Sequence, residues 1–139
     1  MRRICFVCLG NICRSPMAEF IMKDLVKKRE LDDSFTIESR ATSYEEEGAD
    51  LYYLAKDKLR RENIPFTRHY AKRLEKEDYE LFDEFYCMED SNIREVIRIL
   101  GASDKVNKLL TRDIADPWYT GNFDDTCNDL IEGICLLLK

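Results

Sequence analysis

Hydrophobic positions along this chain follow two periods in turn, one typical of strands and one typical of helices. Residues 2–8 contain an unbroken apolar run, as expected of a strand that is buried on both faces of a parallel sheet. Residues 17–26 then place apolar side chains at helical spacing, with a polar face of Lys and Glu. The same alternation predicts strands at 35–39, 82–88 and 106–110 and helices at 51–61, 91–100 and 123–138.

This alternation predicts an α/β fold with a four-stranded parallel sheet and helices on both faces, of the flavodoxin-like or Rossmann-like kind. The chain has 139 residues and no linker rich in Pro, Gly or Ser, so we expect residues 1–139 to form a single domain. Ligands of such sheets bind beyond the carboxyl ends of the strands. Cys8 is predicted to lie at such an end.

The loop after the first predicted strand carries the candidate chemistry. Ser15 and Pro16 mark a helix start, so the loop precedes a helix N-terminus, where backbone N–H groups and the helix dipole favour an anion. A thiol at such a position ionises readily, which makes Cys8 a candidate nucleophile. Arg14 supplies a planar fork that suits two oxygens of a phosphoryl group.

Other residues of this loop strengthen the interpretation. Gly10 permits a tight turn, Asn11 tolerates a left-handed backbone, and the Ser15 hydroxyl can hydrogen-bond the Cys8 sulfur. The alternative is an ordinary turn between strand and helix with buried cysteines, but such a turn has no use for Arg14. Further along, Asp116 is the candidate proton donor because Pro117 stiffens its loop, with an ordinary Asp-Pro turn as the alternative and Asp113 as a second candidate.

Residues 7–19 read VCLGNICRSPMAE, which resembles the signature of the low-molecular-weight protein tyrosine phosphatases. The resemblance extends through Ser39, residues 69–74, residues 88–92 and residues 116–119. It implies hydrolysis of phosphotyrosine through a phosphocysteine, with no metal and no organic cofactor. It assigns Cys8 as nucleophile, Arg14 as phosphate clamp and Asp116 as general acid and then base.

The resemblance also implies roles for surrounding residues. The phosphate-binding loop would include Leu9, Gly10, Asn11, Ile12, Cys13 and Ser15. Ser39 and His69 would support this loop by hydrogen bonds without transferring protons. Tyr44, Glu45, Trp118 and Tyr119 would line the substrate mouth, unless they are solvent-exposed residues of loops. The sequence departs from many relatives at several positions, among them Arg40, Tyr53, Glu89 and Trp118.

Composition limits the kinds of binding partner and the cellular location that we expect. The net charge is −6, which argues against nucleic acid or an anionic membrane as the main partner. We expect phosphotyrosine-containing proteins as substrates, and oxyanions such as phosphate, sulfate or vanadate as ligands. The apolar start is too short for a membrane span and is interrupted by Asn11 and Arg14, so we expect a cytoplasmic protein.

The six cysteines allow other interpretations. Cys5 and Cys8 form a C-x-x-C pair, but a strand sends them to opposite faces, so we predict a core position for Cys5. Cys87, Cys127 and Cys135 are predicted to be small buried hydrophobes. Cys13 lies in the same curved loop as Cys8, so we expect redox sensitivity with Cys13 as the resolving thiol, unless it only packs beneath the loop.

Three other functions remain as alternatives. Protein-arginine phosphatases resemble this loop except for a threonine where Ile12 stands, so the hydrocarbon at Ile12 favours phosphotyrosine. A thiol-linked arsenate reductase would need a cysteine relay on a mobile segment, which Cys87 in a predicted strand does not provide. A phospho-ligand binding module without turnover would usually lack the cysteine or the acid, and both are present.

Overall fold

The computed structural model describes residues 1–139 and contains one four-stranded sheet. Its strands are β1 (Arg2–Cys8), β2 (Phe35–Ala41), β3 (Glu84–Cys87) and β4 (Val106–Lys108). The spatial order is β2-β1-β3-β4, and every pair is parallel. β1 therefore lies inside the sheet, hydrogen-bonded along both edges, and its carboxyl end is fixed by two neighbours. The predicted parallel sheet is confirmed.

Six helices cover the sheet: α1 (Arg14–Lys28), α2 (Tyr53–Arg61), α3 (Asp78–Leu81), α4 (Asp90–Leu100), α5 (Pro117–Thr120) and α6 (Phe123–Leu137). A 3-10 turn at Asp32–Ser34 precedes β2. The predicted long helices are confirmed, and α4 ends at Gly101 with φ 75°, as predicted. α3 and α5 were not predicted, because four residues are too few to show a helical period.

Two strands are shorter than the sequence predicted. Phe82 precedes β3 and points into the core, while the Asp83 backbone N–H donates to Arg3 and its carboxylate accepts from the Arg3 backbone. After β4, the Leu109 N–H still donates to Cys87, and Leu109 and Leu110 then pack into the core. The residues just before β3 and just after β4 are therefore buried without belonging to the regular strand pairing. For this reason the apolar pattern in the sequence extends beyond each strand.

The two faces of β1 enter different hydrophobic clusters. Ile4, Phe6 and Cys8 belong to the larger cluster, which α1 and α6 cover, whereas Cys5 and Val7 belong to a smaller cluster covered by α4. The prediction that Cys5 and Cys8 face opposite sides is confirmed. Full burial of an aliphatic or aromatic side chain such as Ile4, Phe6 or Val7 stabilises the fold by roughly 1.5–3 kcal/mol.

The three remaining cysteines differ in their burial. Cys87 and Cys127 are buried in the core, as predicted, but Cys135 is only partly buried. Cys135 lies in the last turns of α6, beyond the buried residues Leu130 and Ile134. The prediction of burial was therefore wrong for Cys135. No helix of the protein is both long enough and apolar enough to cross a membrane.

Candidate active site

The loop between β1 and α1 folds around the Cys8 sulfur. Cys8 is 3% exposed, and its Sγ accepts hydrogen bonds from the backbone N–H groups of Asn11 at 3.3 Å and Ser15 at 3.4 Å. The Ser15 hydroxyl lies 3.0 Å from the same sulfur. Two backbone N–H groups thus donate to one sulfur, and the Ser15 hydroxyl lies at hydrogen-bond distance from it.

Asn11 holds the loop in its curved shape. Its φ of 58° is left-handed, as the sequence predicted. Its side-chain amide donates to the hydroxyls of Ser15 at 2.7 Å and Ser39 at 2.9 Å, and its side-chain oxygen accepts from the Lys72 N–H at 3.1 Å. These bonds offset the strained backbone and join the loop to β2 and to the segment after α2.

His69 reaches the same loop from below. Its Nε2 lies 2.7 Å from the Asn11 carbonyl oxygen, and burial lowers the pKa of its ring. Because a carbonyl oxygen only accepts, the neutral ring must carry its proton on Nε2. The structure therefore places Ser39 and His69, the two residues that the resemblance implied as supports of the loop, in hydrogen-bond contact with Asn11.

The sequence analysis missed Glu19 as part of this network. The Ser39 hydroxyl donates to the Glu19 carboxylate at 2.6 Å, and Lys23 pairs with the other oxygen of Glu19, also at 2.6 Å. Glu19 is only 9% exposed, although its helical position suggested a solvated face. Its spacing of four residues after Ser15, on one helix face, is the only local signal that could have identified it.

Arg14 is buried beneath the loop and held by three groups. It is 2% exposed, and its Nη1 donates to the Ile114 carbonyl at 2.9 Å. Nη1 also lies 3.3 Å from the Glu89 carboxylate, and Nη2 lies 3.5 Å from Asp116. Glu89 was noted as a departure but not as a site residue. Its carboxylate also caps α4, so it links that helix to the guanidinium.

Asp116 is placed by the short helix α5. It is the N-cap residue, its carboxylate accepts from the Trp118 N–H at 3.1 Å, and Pro117 occupies the first helical position. The competing candidate Asp113 lies elsewhere, exposed and paired with Lys108 at 2.6 Å. Of the two carboxylates, only Asp116 reaches the cavity above Cys8.

A cavity of about 170 Å³ opens above the loop. The loop forms its floor, and its walls are Glu45, Glu46, Asp116, Trp118 and Tyr119. Glu46 was not predicted, and its position beside Gly10 depends on how the 44–50 connection folds back.

Tyr44 does not line this cavity, contrary to the prediction. Its hydroxyl donates to Glu75 at 3.0 Å, and the Arg73 guanidinium stacks over its ring at 4.8 Å. The backbone turn that follows Tyr44 directs the next two side chains toward the site, while Tyr44 itself packs on the segment before α3. In this connection the acidic residues Glu45 and Glu46 line the cavity wall, and the aromatic Tyr44 does not.

Cys13 also lines the cavity, at the junction of the loop and α1. It is 4% exposed, and burial raises the pKa of its thiol well above the usual value. Cys13 is thus a buried thiol within the same loop as Cys8. No cluster of three or more His, Cys, Asp or Glu side chains is arranged to hold a metal ion.

The family model described as Low molecular weight phosphotyrosine protein phosphatase matches residues 3–139. The chain belongs to this family. As a low-molecular-weight protein tyrosine phosphatase it is a phosphomonoester hydrolase. The low molecular weight phosphotyrosine protein phosphatase of Homo sapiens is 36% identical over 137 residues, covering 89% of this chain and 84% of the human protein.

Two bacterial phosphatases are similar in both sequence and fold. The low molecular weight protein-tyrosine-phosphatase YfkJ of Bacillus subtilis is 34% identical over 99% of this chain and 94% of its own length. Its crystal structure matches with a TM-score of 0.95, covering 99% of this chain and 92% of that chain. SP-PTP of Streptococcus pyogenes, 34% identical, matches with a TM-score of 0.93, covering 99% of this chain and 91% of that chain.

Proposed function

We propose that this phosphatase hydrolyses phosphotyrosine in proteins through a phosphocysteine at Cys8. The observation that carries the proposal is the Cys8 sulfur, ringed by two N–H groups and the Ser15 hydroxyl, with Arg14 and Asp116 at the same cavity. In this proposal Cys8 attacks as the thiolate, which is the nucleophilic form of cysteine, and the two N–H groups hydrogen-bond its sulfur. Its burial at the cavity floor limits attack to a group small enough to enter the loop.

The first step transfers the phosphoryl group from the substrate to sulfur. The Cys8 thiolate forms an S–P bond while the P–O bond to the tyrosine breaks. Charge spreads over the three remaining phosphoryl oxygens, and the loop N–H groups together with the Arg14 guanidinium stabilise it. Arg14 is pre-positioned by Glu89 and the Ile114 carbonyl, so little reorganisation is needed as the reaction proceeds.

Asp116 handles the proton in both steps. It donates a proton to the phenolate oxygen as that group leaves. It then accepts a proton from a water molecule whose oxygen attacks phosphorus, so that the S–P bond breaks and phosphate is released. The Trp118 N–H and the rigid Pro117 keep the carboxyl aimed into the cavity, which supports this assignment.

The shape of the cavity supports an aryl phosphate over an alkyl one. A phosphoryl group at the floor places the attached ring in a mouth that Trp118 and Tyr119 line together with Glu45 and Glu46. We propose phosphate, sulfate and vanadate as oxyanions that occupy the same loop. We also propose a cytoplasmic location, where a reducing environment keeps the Cys8 thiol available.

One alternative activity on this fold loses support. A thiol-linked arsenate reductase needs a second, mobile cysteine near the nucleophile. Cys87 is fully buried within β3, and it belongs to the cluster on the opposite face of the sheet from Cys8. It therefore has neither the mobility nor the position for a relay.

The direct test is hydrolysis of p-nitrophenyl phosphate and of a phosphotyrosyl peptide in the presence of a metal chelator. We expect turnover by the native protein and a loss of at least about 10⁴-fold in Cys8→Ser. Cys135→Ser is the matched control, because Cys135 lies on α6 away from the cavity, and we expect full activity. A folded native protein without turnover, or an active Cys8→Ser, would overturn the proposal.

A further inference from the structure

The charges around the active-site mouth are unbalanced. Arg14 is the only cation that lines the cavity, and it lies at the floor, already paired with Glu89 and Asp116. The upper walls carry the carboxylates of Glu45 and Glu46. A phosphopeptide that places its phosphoryl group at the floor must therefore lay its neighbouring residues against negative charge.

Glu45 and Glu46 have no partner within the protein. Neither carboxylate takes part in an ion pair or accepts a hydrogen bond, although the Glu45 backbone N–H donates to Ser43. Glu47, the next residue, differs because its carboxylate accepts from the Arg73 N–H and does not line the cavity. Two adjacent carboxylates thus remain available to a ligand.

The cations that contact the 44–50 connection are already engaged. Lys56 and Arg68 pair with Asp50, and Arg73 pairs with Glu75 and stacks over the Tyr44 ring. The protein itself therefore does not neutralise the two free carboxylates, which leaves them unpaired for a cationic group of a bound peptide.

The same mouth also carries an aromatic, open surface. Trp118 is 52% exposed and Tyr119 is 78% exposed, while Tyr52 packs against the Trp118 ring at 4.7 Å and steadies it. The face of an indole or phenol ring attracts a guanidinium or ammonium group. The carboxylates and the aromatic rings of the mouth therefore favour the same kind of neighbour, a cationic side chain.

We propose that the mouth selects phosphotyrosine flanked by arginine or lysine and disfavours phosphotyrosine flanked by acidic residues. This inference rests on the proposed phosphotyrosine activity and names the substrate class within it. Glu45 and Glu46 are the specificity-determining residues, and Trp118 and Tyr119 provide the aromatic surface of the same mouth. The phosphoryl group still binds at the loop, so the flanking charge changes kcat/KM among peptides without changing the reaction.

The expected difference in kcat/KM between peptides follows from the strength of solvent-exposed ion pairs. Solvent-exposed ion pairs are weak, and each contributes about 1.4-fold to about fivefold in affinity. For a peptide with two arginines against one with two glutamates, we expect about a three- to tenfold advantage in kcat/KM at low salt. Raising the ionic strength from about 0.01 M to about 1 M shortens the Debye length from about 30 Å to about 3 Å, so the advantage should largely disappear.

The experiment compares three phosphotyrosyl peptides that differ only in the flanking residues: two arginines, two glutamines or two glutamates. We measure kcat/KM for each with the native protein at low and high salt. We expect the order arginine, glutamine, glutamate at low salt and near equality at high salt. Equal values at low salt, alongside Cys8-dependent turnover of all three peptides, would overturn the inference and leave the proposed function standing.

A double variant tests which residues are responsible. In Glu45→Gln/Glu46→Gln we expect the arginine-to-glutamate ratio to fall to about twofold or less. Asp32→Asn/Asp33→Asn makes the same change in net charge at an exposed 3-10 turn, at the opposite end of β2 from the site, and should keep the native ratio. If both double variants lower the ratio equally, the effect is one of net charge and the assignment to the mouth is wrong.

Failure of the proposed function gives a different result. In that case none of the three peptides is turned over, and Cys8→Ser behaves as the native protein, which overturns the inference as well.

Discussion

The loop around Cys8 and the mouth above it are built in opposite ways. Asn11, Arg14 and Ser15 are at most 2% exposed and are held by hydrogen bonds from several elements of the fold. Trp118 and Tyr119, by contrast, are more than half exposed. The interior fixes the groups proposed for the reaction, whereas the groups proposed for recognition stand on the surface, where substitution disturbs little packing.

This difference predicts large effects for the groups proposed for the reaction and for their hydrogen-bond support, and small effects for groups that only shape the cavity surface, such as the partly buried Ile12. The five predictions below are ordered by expected size. If the measured order were inverted, the assignment of residues to the reaction and to substrate recognition would be wrong.

Among these five changes, Arg14→Lys should have the largest effect, about a 10³-fold loss in kcat/KM. Lysine keeps the charge but loses the planar fork, and it cannot reach Ile114, Glu89 and a phosphoryl group at once. The measurement is steady-state kinetics on a phosphotyrosyl peptide, with circular dichroism to verify folding. A folded variant with less than about tenfold loss would remove Arg14 from the proposed mechanism.

Asp116→Asn should lower kcat by about 10²-fold on phosphotyrosine and by less on p-nitrophenyl phosphate, whose leaving group needs less protonation. The matched control is Asp113→Asn, which removes a carboxylate three residues away that pairs with Lys108 outside the cavity. We expect the control to keep native kcat. Equal losses on the two substrates would argue against proton donation by Asp116.

Asn11→Ala should reduce activity by about tenfold or more and destabilise the fold by about 1–3 kcal/mol. The variant loses the side-chain bonds to Ser15 and Ser39 and still needs a left-handed backbone. Asn63→Ala is the control, since Asn63 has a similar φ of 57° but is exposed after α2.

The control should lose only about 1 kcal/mol from backbone strain and keep its activity. The measurements are urea unfolding and steady-state kinetics on both variants. If Asn11→Ala lost no more stability than Asn63→Ala, the hydrogen-bond network would not be what holds the loop.

Oxidation tests the loop in another way. We expect mild peroxide to inactivate the native protein through a Cys8 sulfenic acid, which Cys13 then traps as a disulfide. Thiol reductant should restore activity, and Cys13→Ser should recover about several-fold less because over-oxidation competes. Mass spectrometry before and after reduction maps the bond. Full recovery in Cys13→Ser would limit Cys13 to packing beneath the loop.

Ile12→Thr should have the smallest effect, a shift of about two- to fivefold in the kcat/KM ratio toward phosphoarginine over phosphotyrosine. Ile12 lines the cavity and presents no hydroxyl to a guanidinium, while threonine would. Ile12→Val keeps the β-branch without the hydroxyl and should retain the native ratio. A native protein that already prefers phosphoarginine would contradict the proposed substrate.

The loop could be predicted from sequence because its information is local. The strand, the turn residues and the helix start follow one another within residues 2–28, and each has a clear pattern. The sheet followed from the alternation of periods, since each long helix shows its own apolar face. The four-residue helix α5 gave no such signal, although its Asp-Pro start was visible.

The sequence alone does not show which distant side chains contact the loop. Glu19 looked like a solvated helix residue, and Glu89 looked like a substitution at a strand end, yet both contact the loop network. Tyr44 was assigned to the mouth, but it turns toward Glu75 and leaves the wall to Glu46. The direction of a side chain in a connecting segment depends on tertiary packing, and it leaves no periodic pattern in the sequence from which it could be predicted.

The position of β1 inside the sheet has a consequence for how this protein matures. The ladder that fixes the end of β1 needs β2 and β3, and Arg14 meets Asp116 across 102 positions of chain. Such non-local pairing slows folding, because the loop must be closed before the contact forms. A chain that ends before residue 116 lacks the carboxylate proposed as proton donor, so under the proposed mechanism recovery of turnover after denaturation reports that this distant contact has formed.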